Sequence, residues 1–198
     1  MVSVESISVD FEGFADSEPV TRGGGPRPRK VAVYRILGEL GRGGMARVYK
    51  GIHEDLGREV AIKELLVEPR NKEAASRFRR EALALASFRH QNIVTLYDLI
   101  DKNGTPYMVL ELVDGPTVSE LIKQGPLPAE VAATIVAAVA SALEHAHLAH
   151  ITHRDVKPSN VMLTRAGGVK LMDFGIAKDS ELTDLTREGL AVGTPAYM

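Results

Sequence analysis

The chain has 198 residues, 44% hydrophobic and 25% charged, which is typical of a folded globular protein and not of a disordered or fibrous one. Its net charge of −2 gives no electrostatic reason to expect a nucleic-acid partner, and the lack of cysteine excludes disulfides and thiolate zinc sites. The acidic start lacks the regions of a signal peptide, and no stretch approaches the roughly 18 apolar residues of a membrane span, so we expect a cytoplasmic location and no membrane segment.

Strand patterns dominate the first half of the chain after an expected flexible leader, residues 1–30, which ends in "TRGGGPRPRK". Strands are predicted for "YRILGEL", "ARVYKGIH" and "REVAIKEL", with "EDLG" as a turn between the last two. Residues 72–88 have helical spacing, with an apolar stripe of Phe78, Ala82, Leu85 and Phe88. "NIVTLYDLI" and "TPYMVLELV" then predict a hairpin around "DKNG".

A long helix is predicted after "DGP", in the alanine-rich stretch "PAEVAATIVAAVASALEHAHLAH", and short strands with turns follow it. The change of pattern falls near residues 112–114. We therefore expect an α+β protein with a strand-rich part before this point and a helical part after it.

The glycine-rich stretch "LGRGGMARVY" is a candidate phosphate-binding loop, because glycines let backbone N–H groups approach phosphate oxygens. A strand follows it and not a helix, so it does not fit the dinucleotide-binding fingerprint, and it lacks the Gly-Lys-Ser/Thr of a Walker A loop. The stretch alone is equally compatible with an ordinary hairpin turn.

Two charged residues fall where burial makes charge costly. The alternation in "VAIK" places Lys63 on the face of Ala61, opposite Val60 and Ile62, and Glu81 lies at the edge of the apolar helical stripe. A buried charge needs a partner, so the simplest prediction is a Lys63–Glu81 ion pair. The alternative is that both side chains reach solvent along apolar stems.

Four histidines, His145, His147, His150 and His153, lie close together in "EHAHLAHITHRDVKPSN". A helical zinc pair prefers a spacing of four residues, which none of them supplies, so we expect no metal site there.

The loop "HRDVKPSN" that follows carries an acid, a lysine and an amide, and we expect it to direct Asp155, Lys157 and Asn160 at one point. Asp173 ends a later strand in "VKLMDFG"; its carboxylate and the Asn160 amide are oxygen ligands suited to magnesium.

Together "GRGGMARV", "VAIK", Glu81, "HRDVKPSN" and "DFG" resemble the eukaryotic-like Ser/Thr protein kinases, in particular the bacterial type with Gly-Gly-Met in its glycine loop. The resemblance covers roughly residues 34–198. It implies a bilobal kinase-like fold, with a strand-rich N-lobe containing one main helix over residues 31–112. An incomplete, mainly helical C-lobe over residues 113–198 would hold the catalytic loop and most of the activation segment.

The resemblance also implies ATP and Mg²⁺ as cofactors and a role for each motif. Asp155 would orient the substrate hydroxyl and accept its proton, and Lys157 would steady the transferred phosphoryl group. Lys63, held by Glu81, would bind the α- and β-phosphates. A further implied pair, Asn160 and Asp173, would hold the magnesium.

Nucleotide contacts are implied for the glycine loop, two strands and a hinge, with Leu110 as gatekeeper. The implied residues are Leu40, Gly41, Gly43, Gly44, Ala46, Val48, Ala61, Lys63, Leu110, Glu111, Val113 and Met162. His153 would be structural and would pack with Leu85, Leu96 and Phe174, while the other three histidines would be helix-end residues.

The lysine of "DVKPSN" is like that of the Ser/Thr class, so the implied reaction is transfer of the γ-phosphoryl group to protein hydroxyls, including autophosphorylation. Arg154 resembles the arginine of kinases activated by phosphorylation, because phosphate pairs with such an arginine. Thr186 and Thr183 are the candidate phosphosites, with solvated loop polarity as the alternative. Thr194 would help to position the substrate and Asp155.

Two features depart from the family pattern. Ala46 replaces the third glycine of the loop and is small enough to be tolerated. The sequence stops at "GTPAYM", before the Pro-Glu anchor and the helices that follow it in the family. We therefore expect an exposed apolar helix face and self-association through it. The alternative function is an inactive kinase-like fragment that binds nucleotide or a partner protein.

Overall fold

The computed structural model describes residues 28–44, 46–66 and 72–174, and these divide by packing into two units. The N-terminal unit comprises described residues up to 86 together with residues 95–112. The C-terminal unit comprises residues 87–94 and 113–174. Residues 87–94, which the sequence pattern assigned to the N-lobe, thus make their contacts in the C-terminal unit.

A six-stranded antiparallel sheet forms the N-terminal unit, in the strand order β1-β2-β3-β4-β6-β5. Its strands are β1 (Lys30–Val31), β2 (Tyr34–Arg42), β3 (Ala46–His53), β4 (Glu59–Leu65), β5 (Leu96–Lys102) and β6 (Thr105–Glu111). The buried residues of its core cluster are Val31, Tyr34, Tyr49, Val60, Ile62, Tyr107 and Val109. Lys30, placed in the leader by the sequence pattern, begins β1, and its neighbour Val31 is fully buried.

Periodicity predicted the centre of this unit correctly. The expected strands and turn of residues 34–65 correspond to β2, β3 and β4, and Gly57 in the turn has a φ of 64°. Helix α1 spans Lys72–Ser87, and its apolar stripe is buried at Phe78, Ala82 and Leu85.

The hairpin of β5 and β6 forms around Asn103 and Gly104, both with positive φ, but its first strand is shorter than predicted. The strand begins at Leu96, so the prediction that it includes "NIVT" is wrong. Asn92 and Val94 instead exchange backbone hydrogen bonds with Leu171, at 2.8 and 3.0 Å. The apolar residues of this segment, Ile93 and Val94, are buried in the C-terminal unit, and periodicity alone cannot distinguish that from burial in the hairpin.

Helices and a small hairpin make up the C-terminal unit. They are α2 (Val118–Gln124), α3 (Ala129–Leu148), a 3₁₀ turn (Pro158–Asn160), β7 (Val161–Leu163) and β8 (Val169–Leu171). The predicted long helix is α3, which ends two residues before His150 adopts a φ of 60°. Helix α2 was not predicted, although Thr117 and Glu120 form a capping box at its start.

One helix in the described part of the chain, α3, is long and apolar enough to cross a membrane. The expectation that no stretch approaches this length is therefore wrong for α3. Core helices of soluble proteins pass the same test, so this alone does not establish a membrane span.

Candidate functional site

An ion pair joins the sheet to α1 in the N-terminal unit. Lys63 Nζ lies 3.0 Å from Glu81 Oε1, and the two side chains are only 14% and 10% exposed. Val60 and Ile62 alternate with Lys63 along β4 and are buried on the opposite face. The pairing predicted from the cost of buried charge is confirmed.

The glycine-rich stretch forms the tip of the β2–β3 hairpin. Gly43 N donates to Ala46 O at 2.8 Å. A Cβ atom added at Gly41 or Gly44 would meet no atom within 4 Å. The tip is therefore open, and its backbone is accessible to a ligand such as a phosphate.

Strand register gathers part of the expected nucleotide site on one face of the sheet. Val48 pairs with Lys63 across β3 and β4, and Ala61 pairs with Leu110 across β4 and β6. Residues directly opposite each other in a sheet share a face, so all four lie on the face of Lys63.

Other expected nucleotide residues are distributed over both units. Leu40, Gly41, Gly43, Gly44 and Ala46 lie on the β2–β3 hairpin, and Glu111 N donates to Thr95 O at 2.9 Å at the end of β6. Val113, which is buried, and Met162, which is half-buried in β7, belong to the C-terminal unit.

Within the C-terminal unit, the predicted loop brings its three polar residues together. Lys157 Nζ lies 2.9 Å from Asp155 Oδ2. Asn160 Nδ2 donates to the Asp155 carbonyl oxygen at 2.8 Å and to Oδ2 at 3.2 Å. Because its amide nitrogen faces Asp155, the Asn160 amide oxygen is the atom suited to a cation.

Backbone bonds connect this loop to the residue that precedes Asp173. Met172 N donates to Asn160 O at 2.8 Å, and the Met172 carbonyl lies 2.9 Å from His153 Nε2. Asp173 has a φ of 51° and Arg154 a φ of 62°. Non-glycine residues rarely adopt positive φ, and those that do are frequent at functional sites. The carboxylate of Asp173 and the amide of Asn160 are hard oxygen donors, the chemistry that magnesium prefers.

His153 has a structural position under this loop. It is 1% exposed, its ring centroid lies 4.5 Å from that of Phe174, and its Nδ1 accepts from Asp155 N at 3.3 Å. The predicted packing against Phe174 is confirmed, while Leu85 and Leu96 belong to the other unit.

The remaining histidines lie at or just beyond the end of α3, as predicted: His145 and His147 are in its last turn, and His150 follows. Among the described residues, no group of three or more His, Cys, Asp or Glu side chains is arranged to hold a metal ion. Thr183, Thr186 and Thr194 lie outside the described residues.

A polar network on the other, buried face of β4 was not predicted from the sequence. Its members are Glu39, Arg47, Tyr49, Glu64 and Tyr107. The signal was present, because the alternation that places Lys63 on one face of β4 places Glu64 on the buried face of Val60 and Ile62.

Comparison with known proteins gives one consistent result. The family model described as "Protein kinase domain" matches residues 34–198. A probable serine/threonine-protein kinase of Streptomyces coelicolor is 45% identical over 181 residues, which cover 86% of this chain and 27% of that protein. A serine/threonine-protein kinase of Bacillus subtilis is 42% identical over 167 residues, covering 83% and 26%. The chain thus spans about a quarter of the length of these curated relatives.

Proposed function

The chain belongs to the protein kinase domain family, and on that premise we propose that it is the ATP-dependent catalytic part of a Ser/Thr protein kinase. The reaction is transfer of the γ-phosphoryl group of ATP to serine or threonine hydroxyls of a protein. The observation that carries this proposal is the arrangement of Asp155 with Lys157 and Asn160 in one loop.

Each residue has a role in positioning and charge stabilisation. Asp155 orients the substrate hydroxyl and accepts its proton, and Lys157 stabilises the charge on the transferred phosphoryl group. Lys63, paired with Glu81, binds the α- and β-phosphates. Asn160 and Asp173 would hold Mg²⁺, which would neutralise charge on the phosphate oxygens.

Phosphate transfer from magnesium–ATP to a generic basic protein tests this function. Loss of a positioned general base lowers the rate by about 10²–10⁴-fold, so the transfer rate of Asp155→Asn should be lower than that of the unmutated chain by this factor. Asp114→Asn is the matched control, because Asp114 is an exposed acid of the same unit, 3.9 Å from Arg165. It should keep full activity.

The alternative is an inactive kinase-like chain. In that case the unmutated chain and Asp155→Asn should both bind nucleotide, and neither should transfer phosphate. The intact Lys63, Asp155 and Asp173 and the kinase names of the relatives favour the active form.

We also propose self-association through α3, supported by its exposed apolar residues Val136 and Leu148, 67% and 77% exposed. Sedimentation of the unmutated chain and of Val136→Glu tests this. A monomer at every concentration in both proteins would contradict it.

A further inference from the structure

A buried polar network crosses the sheet of the N-terminal unit, on the face opposite Lys63. Tyr49 and Tyr107 donate to the two carboxylate oxygens of Glu64, at 2.7 and 2.9 Å. Arg47 Nη1 donates to the Tyr49 hydroxyl at 3.0 Å, and its Nε lies 3.7 Å from Glu39 Oε2. None of these side chains takes part in the proposed reaction.

The network connects four strands at the base of the glycine-rich tip. Arg47 of β3 pairs with Glu64 of β4, which pairs with Tyr107 of β6, and Glu39 lies on β2 opposite Tyr49. Residues 41–44 lie between Glu39 and Arg47 in the chain. Because the space around Gly41 and Gly44 is open, the position of the tip depends on how these two strand ends are held.

Burial and charge make the hydrogen bonds of the network costly to break. The Arg47 and Glu39 side chains are 6% and 9% exposed, and breaking the pairing of a buried charge is costly. Hydrogen bonds to a carboxylate are stronger than neutral ones. Burial, followed by the hydrogen bond to Glu64, raises the pKa of Tyr49 to about 12, which further disfavours loss of the proton that its hydroxyl donates.

We propose that Arg47, Tyr49, Glu64 and Tyr107 are positioning residues that hold the glycine-rich hairpin in place relative to Lys63. Glu64 adjoins Lys63 in β4, so the same strand carries the phosphate-binding lysine on one face and the anchor of the hairpin on the other. The network thereby sets the affinity for the nucleotide phosphates. This last step rests on the proposed function.

Amide hydrogen exchange of the ligand-free chain tests the positioning role. Tyr49→Phe removes one hydroxyl and Glu64→Gln removes the charge with little change of shape. The control Tyr34→Phe makes the same substitution in the same buried cluster, where Tyr34 packs edge-on against His53. Exchange of residues 41–48 should rise at least about tenfold in the first two variants, because each variant loses one or more hydrogen bonds to a charged group. It should not rise in the control.

Exchange of β5 in the same samples reports general loosening of the sheet. Equal exchange of residues 41–48 in Tyr49→Phe and Tyr34→Phe, or a rise of the same size in β5, would overturn the proposal.

Calorimetric titration with magnesium–ADP tests the link to the nucleotide. The dissociation constant should rise about tenfold in Tyr49→Phe and Glu64→Gln and stay unchanged in Tyr34→Phe. Faster local exchange with an unchanged dissociation constant would overturn this link. If the unmutated chain binds no magnesium–ADP, the proposed function fails, while the exchange comparison still decides the positioning role.

Discussion

At the scale of single residues, the Lys63–Glu81 ion pair leads us to expect an effect of substitution on the free energy of unfolding. Glu81→Gln removes the carboxylate that lies 3.0 Å from the buried Lys63 ammonium, so the free energy of unfolding should fall by up to about 3 kcal/mol. Replacing both residues together, Lys63→Met with Glu81→Leu, should cost less than the sum of Lys63→Met alone and Glu81→Leu alone. Urea unfolding measures all of these variants.

Glu73→Gln is the control for that experiment. Glu73 is on the same helix and pairs with Arg77, but its side chain is 61% exposed, so its loss should cost less than about 0.5 kcal/mol. Equal effects of Glu81→Gln and Glu73→Gln would contradict a buried, coupled pair.

The environment of His90 leads us to expect that the stability of the chain depends on pH. Burial, and then the charges of His145 and Lys170, lower its pKa from the ordinary 6.5. Its neutral ring accepts from Asn92 N at 3.1 Å and contacts Ser141 Oγ at 3.2 Å. Since the unfolded chain binds this proton more readily, the stabilisation is complete above pH 6.5 and is lost as the pH falls through the lowered pKa.

Unfolding midpoints between pH 8 and pH 5 check this expectation. The decline on acidification should be smaller in His90→Gln than in the unmutated chain. It should be unchanged in His147→Gln, because His147 is an exposed residue of the same unit. Parallel declines in all three proteins would exclude His90 as the cause.

Part of the candidate site could be predicted at this scale and part could not. The need of a buried charge for a partner is a local property, and it predicted Lys63 with Glu81. The positive φ of Arg154 and Asp173 and the bonds of Glu64 depend on which strands and loops lie beside them. No periodicity of their own segments encodes those neighbours.

At the scale of elements, Gly115 fixes how the start of α2 meets β7. A Cβ atom at this position would lie 2.0 Å from the Leu163 carbonyl oxygen, and Leu163 N also donates to Pro116 O at 2.9 Å. Since a backbone atom cannot turn aside as a side chain does, Gly115→Ala should lower the free energy of unfolding by about 1–3 kcal/mol.

Denaturant unfolding checks this prediction, with Gly44→Ala as the control. A methyl group at Gly44 meets open space, so its effect on the ligand-free chain should be small. Equal unfolding midpoints of the two variants would contradict the prediction, because they would mean that the backbone at Gly115 can move away from Leu163 without loss of stability.

The elements that were predicted correctly are those whose own residues determine them. Alternation predicted β2 to β4 and helical spacing predicted α1, because each has a long run of one period. The segment "NIVT" was assigned to a strand of the hairpin because apolar residues indicate burial but not the partner against which they are buried. Helix α2 is only seven residues long, too short for its period to stand out.

At the scale of the whole molecule, nucleotide binding should stabilise the fold. A ligand at about one hundred times its dissociation constant adds about 2.7 kcal/mol to the free energy of unfolding. The unfolding temperature should therefore rise with magnesium–ATP in the unmutated chain and stay unchanged in Lys63→Met.

Lys50→Met is the matched control for this experiment, since Lys50 forms an exposed pair with Glu59 on the same sheet. It should respond to nucleotide as the unmutated chain does. A rise of the same size in Lys63→Met would exclude Lys63 as a phosphate-binding residue.

The packing of residues 87–94 within the C-terminal unit also affects the order in which the chain folds during its synthesis. Ile93 forms a bridge to Leu171, and the Phe88 ring lies 5.0 Å from that of Phe174. Residues 87–94 emerge from the ribosome before β5 and β6, yet two of their partners, Leu171 and Phe174, are translated only after the catalytic loop. The C-terminal unit can therefore complete its folding only after the N-terminal unit has been translated, and it packs around a segment that was synthesised earlier. If the chain is divided at residue 113, neither piece contains the whole C-terminal unit.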